Sequence, residues 1–140
     1  MMARPDLCAG VVALALFALA VPARAQDPSP AHDKPLLYEL VAREPYRTTW
    51  HKLVAPVLKN ERWLRSARGV WEPTRTVTVD GARFDVYFLC KPTACATNEI
   101  TVIFESGGHH AAAAFRSPAG TQLLGAPGDR MRRALLSALH

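Results

Sequence analysis

Cys90 and Cys95 enclose Lys91, Pro92, Thr93 and Ala94, and this short interval holds the side chains best placed for chemistry. Thiols so spaced offer a disulfide cross-link, a redox dithiol, or part of a zinc site. A redox pair normally reads Cys-x-x-Cys, and the interval here is longer. A zinc site needs further ligands close by, and none is obvious. A structural disulfide is therefore the leading reading. The other reactive groups are Glu99, Glu105, His109 and His110. Both carboxylates alternate with apolar positions and read as solvent-facing strand residues, not as an acid–base pair. Adjacent histidines on a strand point to opposite faces and rarely share one metal. No Gly-x-Ser-x-Gly nucleophile motif occurs. The sequence therefore predicts no catalytic residue, no metal site and no cofactor.

The elements around the cysteines must hold the interval in place. Before it, Phe84, Val86 and Phe88 alternate with Arg83, Asp85 and Tyr87; after it, Ile100, Val102 and Phe104 alternate with Glu99, Thr101 and Glu105. Period-two alternation marks strands with one face on a core. A cross-linked loop between two such strands is a stiff tip, suited to entering another molecule. Closing so short a loop removes roughly 2 kcal/mol of unfolded-chain entropy, so stiffening the tip matters more than global stability.

Export supplies the oxidising environment that a disulfide needs. Arg4, an uncharged apolar run over residues 7–21 and then Ala23-Arg24-Ala25 form the pattern of a secretory signal peptide cut before Gln26. The run is shorter than the roughly 20 residues of a spanning helix, and an uncleaved anchor is the competing reading. Cys8 precedes most of the run and is poorly placed for lipid modification, so cleavage leaves Cys90 and Cys95 as the cysteine pair. The expected location is the periplasm, with no membrane attachment after cleavage. The expected boundaries are a leader over 1–25, a flexible proline-rich lead-in over 26–34 and one domain over 35–140. Cleavage lowers the formal charge from +5 to +4, with 15 basic residues against 11 acidic ones. No long run of like charge and no aromatic–basic interleaving occurs, which argues against a nucleic-acid partner.

Along the domain, Asp33 is placed to cap a helix with Pro35 in its first turn, carrying Leu36, Leu37, Leu40 and Val41 at helical spacing. Pro45 breaks that helix or starts the next, which carries Tyr46, Trp50, Leu53, Val54 and Val57 and is limited by Pro56. Asn60 is placed to cap a short turn with Trp63 and Leu64, and both tryptophans read as core. Residues 74–79 form a β-branched strand, Asp80-Gly81 a hairpin turn, and Gly107-Gly108 the next turn. Residues 109–116 suit helix by propensity, but their place between a glycine turn and Pro118 predicts a strand. Gln122 to Leu124 add a last strand. From Pro127 a helix begins with Met131, Ala134, Leu135 and Ala138 on one face. The fold class is α+β: an antiparallel sheet of about five strands, with N-terminal helices and one C-terminal helix packed on it.

These residues resemble the family of periplasmic inhibitors of vertebrate lysozyme. The resemblance rests on Trp50, Trp63, Pro73, the loop beginning Cys90-Lys91-Pro92, Asn98, and Leu124-Gly125-Ala126-Pro127 leading into a helix. In that family the loop reads Cys-Lys-Pro-His-Asp-Cys. The resemblance implies that the loop enters the lysozyme cleft and its histidine meets the catalytic carboxylates, blocking their acid and nucleophile roles. Lys91, Pro92, Thr93 and Ala94 then become the target-binding residues, with Thr93 and Ala94 in place of the histidine and aspartate. Threonine donates a hydrogen bond but carries no charge. Losing a charge-assisted bond and the packing of an imidazole weakens binding by about 2–4 kcal/mol. Secreted animal lysozymes are generally basic, so a +4 chain is also poorly steered toward them. The partners implied are a lysozyme or, alternatively, the cell's own lytic transglycosylase. A homodimer is left open.

Overall fold

The computed structural model describes residues 34–140; the leader, most of the lead-in and the Asp33 cap lie outside the described residues. Helix α1 spans Leu37–Leu40. Its first turn is closed by Glu39, whose carboxylate accepts the Leu36 N–H at 2.9 Å. Pro35 thus precedes the helix instead of sitting in its first turn. Helix α2 spans Tyr46–Val54 and starts directly after Pro45. A 3₁₀ helix follows at Arg62–Ser66, entered from Glu61 and not from Asn60 as the sequence predicted. Trp50 is buried and its indole N–H donates to the Leu64 carbonyl at 2.9 Å, tying α2 to the 3₁₀ helix. Trp63 is only partly buried at the core's edge.

Five strands follow as an antiparallel meander in chain order: β1 Val70–Val79, β2 Ala82–Cys90, β3 Glu99–Phe104, β4 Ala111–Ser117 and β5 Gly120–Leu124. Asp80 (φ 49°) and Gly81 (φ 75°) form the tight turn that the Asp-Gly signal predicted. β1 starts four residues earlier than expected because a register irregularity between Glu72 and Arg75 absorbs Pro73 on this edge strand. The last helix, α3, spans Asp129–Ser137. Among the described residues, no helix is long and apolar enough to cross a membrane.

The helices cover opposite faces of the sheet. Leu37, Leu40, Trp50, Leu53 and Val54 from α1 and α2 pack with Tyr87, Leu89, Ile100, Val102, Ala113 and Phe115. Ala134 and Leu135 of α3, with Ala138, pack with Val86, Ile103, Ala112 and Ala114 on the other side. The alanine run of β4 sits between these layers, where small side chains let a helix close down on each face. Glu99 is therefore not a solvent-facing residue, contrary to the sequence reading: it lies on the α3 side of a doubly covered sheet, and the residue is 1% exposed.

Candidate functional site

The loop between β2 and β3 is anchored at both feet. Cys90 and Glu99 are paired in the ladder, and the Lys91 N–H donates to the Asn98 carbonyl at 2.9 Å. Cys90 and Cys95 are joined, with their Cα atoms 4.9 Å apart. Within the loop the Ala94 N–H donates to the Lys91 carbonyl at 3.0 Å. With Pro92 in second place and Thr93 at φ 64° in third, this is the pattern of a type II turn. Glycine or asparagine usually fills that third place, and a β-branched residue there is strained. The Ala94 carbonyl then accepts the N–H groups of Thr97 (3.1 Å) and Asn98 (2.9 Å), folding the rest of the loop back on itself.

Of the expected contact residues, Pro92 and Thr93 are exposed, while Lys91 and Ala94 are half-buried. Lys91 is not a free cation. Its ammonium lies 3.7 Å from the Glu61 carboxylate, which also accepts the Trp63 indole N–H at 2.8 Å. Trp63 and Glu61 thus form a bracket beside the loop. The sequence reading missed this bracket, because a contact across thirty residues leaves no local pattern. Gly69 completes the support. A Cβ on it would fall 2.3 Å from the Cys90 carbonyl oxygen, so only glycine lets β1 approach the loop's foot this closely.

On the α3 face, Val70, Cys90, Glu99 and Arg116 form one straight row across four strands. α3 ends before covering this row, leaving a groove of about 470 Å³ bordered by Phe88, Cys95, Ala96 and His140. Glu99 Oε1 accepts a bond from Arg116 Nη2 and from the His140 backbone N–H at 2.8 Å. Arg116 Nε is buried with no hydrogen-bond partner. The buried carboxylate is thereby committed to holding the loop's second foot and the end of the chain together. Glu105, His109 and His110 are exposed at the far end of β3 and do not join this cluster. Among the described residues, no three His, Cys, Asp or Glu side chains come together as a metal site.

Fold and site together define a small α+β domain that displays a covalently closed finger from the end of a two-sided sheet. No known family model matches the chain. Over 95 residues, 68% of this chain, it is 30% identical to the inhibitor of vertebrate lysozyme of Pseudomonas aeruginosa, and it spans 62% of that protein's length. The chain is homologous to the family of inhibitors of vertebrate lysozyme.

Proposed function

We propose that the chain is a periplasmic inhibitor of lysozyme-type muramidases that lodges the Cys90–Cys95 loop in the catalytic cleft and performs no chemistry of its own. On this reading residues 1–25 are a removed leader, 26–34 a flexible lead-in and 35–140 the inhibitory domain. The observation that supports it most is the exposed Pro92–Thr93 tip on a loop closed by both a disulfide and the β2–β3 ladder, in a chain homologous to a lysozyme inhibitor. A tip held in one conformation beforehand loses little freedom on binding. The Thr93 hydroxyl donates to a cleft carboxylate, and Pro92 keeps the turn rigid. Lys91 lends only part of its charge, because Glu61 already lies against it.

The test is inhibition of a vertebrate c-type lysozyme, measured for the native chain, for Cys90→Ser/Cys95→Ser and for Thr93→His/Ala94→Asp. Histidine tolerates the positive φ at position 93 better than threonine does. The histidine–aspartate variant should therefore bind more tightly, by about thirty-fold to several hundred-fold. Opening the disulfide should weaken inhibition. A folded histidine–aspartate variant that inhibits no better than the native chain removes the loop from the mechanism. The neutral Thr93 and Ala94 also favour a second target, a lytic transglycosylase, which cleaves the same glycan with a single main carboxylic acid. Stronger inhibition of that enzyme than of lysozyme by the native chain would select it.

A further inference from the structure

We infer that the target carries an acidic rim beside its cleft, read by the cationic segment 59–68 flanking the loop; this rests on the inhibitor reading above. Lys59, Arg62, Arg65 and Arg68 are all exposed. Among the described residues, none of the four forms an ion pair with a carboxylate; Arg43, Lys52 and Arg132 elsewhere form none either, while Arg75, Arg116, Arg130 and Arg133 each do, so what sets the segment apart is four such cations on one short stretch. The one acid within the segment is Glu61, whose side chain is only 13% exposed and is engaged by Trp63 and Lys91. Four cations therefore stand without internal compensation on one short stretch. A 3₁₀ helix has three residues per turn, so Arg62 and Arg65 are stacked on the same side of it.

The segment is fastened to the loop at both ends. Near its start Glu61 holds Lys91, and just past its end Gly69 abuts the Cys90 carbonyl. The segment thus borders the foot of the loop, on the side from which a partner's cleft rim would meet it once the Pro92–Thr93 tip is received. Guanidinium groups pair with planar carboxylates through parallel N–H bonds. Clustered charge of one sign speeds encounter with the opposite sign and penalises its own. A basic rim meets repulsion here, while an acidic one is drawn in and oriented.

The probe is one vertebrate c-type lysozyme in two forms, native and with its lysine amines succinylated, so that the cleft carboxylates are kept while the surrounding charge is reversed. Association rates are followed by stopped flow for the native chain and for Arg62→Glu/Arg65→Glu/Arg68→Glu. The native chain should associate at least about ten-fold faster with the succinylated form, and the advantage should fade as salt is raised to about 0.5 M. In the triple variant the preference should reverse. Equal rates for the two forms, a preference of the native chain for unmodified lysozyme, or a triple variant that behaves as native each overturn the acidic rim while leaving the loop mechanism standing. Binding to neither form removes c-type lysozyme as the target, leaving the lytic transglycosylase reading, and overturns this inference. Capture of the native chain by insoluble peptidoglycan alone, lost in the triple variant, assigns the arginines to the glycan and also overturns the inference.

Discussion

Glu99→Ala should be among the most damaging single changes in the chain. The Glu99 side chain is 2% exposed and accepts bonds from Arg116 and the His140 N–H. Breaking one partner out of a buried ion pair costs about 3–5 kcal/mol. Arg116 is 31% exposed, so water recovers part of its charge and lowers this to roughly 2–3 kcal/mol. The His140 N–H, deprived of its acceptor, adds about 1 kcal/mol. A loss of about 3–4 kcal/mol lowers the urea midpoint by roughly 2–3 M for a domain of this size. The diagnostic comparison is Glu99→Met with Arg116→Leu, which removes both charges and fills the space with apolar atoms. If the pair holds the loop's foot by position and contributes little net stability, the double variant should lie within about 1–2 kcal/mol of the native chain. Urea denaturation of all three proteins reads this directly. A Glu99→Ala cost below about 1 kcal/mol, or a double variant no more stable than Glu99→Ala, refutes the reasoning.

Three other outcomes are expected. Thr93→Gly relieves a β-branched residue at φ 64°, and should raise stability by about 0.5–1 kcal/mol despite glycine's greater freedom when unfolded, seen as a higher melting temperature. Gly69→Ala forces a Cβ toward the Cys90 carbonyl at 2.3 Å, and should cost about 1–3 kcal/mol and loosen the Cys90 ladder in hydrogen exchange. Asp85 is hydrogen-bonded by the Lys34 ammonium and by Thr76, which hold its carboxyl below the ordinary range. Its contribution is complete above the unfolded value of about 4 and is lost as pH falls through the lower folded value. Asp85→Asn should therefore flatten the acid limb of the stability–pH curve.

Local chemistry announced most of the fold. Asp80-Gly81 named its own turn, the alternation around the cysteines named β2 and β3, and Pro118 after a glycine turn made the alanine run a strand despite its helix propensity. Glu99 was misplaced because alternation counts one covered face, and the second cover comes from α3, thirty residues later in the chain. The same second cover explains why β4 needs Ala112 and Ala114, whose packing partners lie on α3. The loop's closure was visible in two cysteines, but not the positive φ at Thr93, since threonine gives no hint of it. The Trp63–Glu61–Lys91 bracket had no sequence pattern to betray it, and nothing local marks Gly69 as the point where β1 closes on the loop's foot.

Cys90 belongs to the buried sheet, while every side chain from Lys91 to Thr97 stays outside both packed layers. The finger is thus a cassette: what its tip spells has almost no bearing on whether the protein folds. Such a chain is free to exchange one bait for another through substitutions at two or three sites, and a randomised library over 91–94 would inherit the whole scaffold intact.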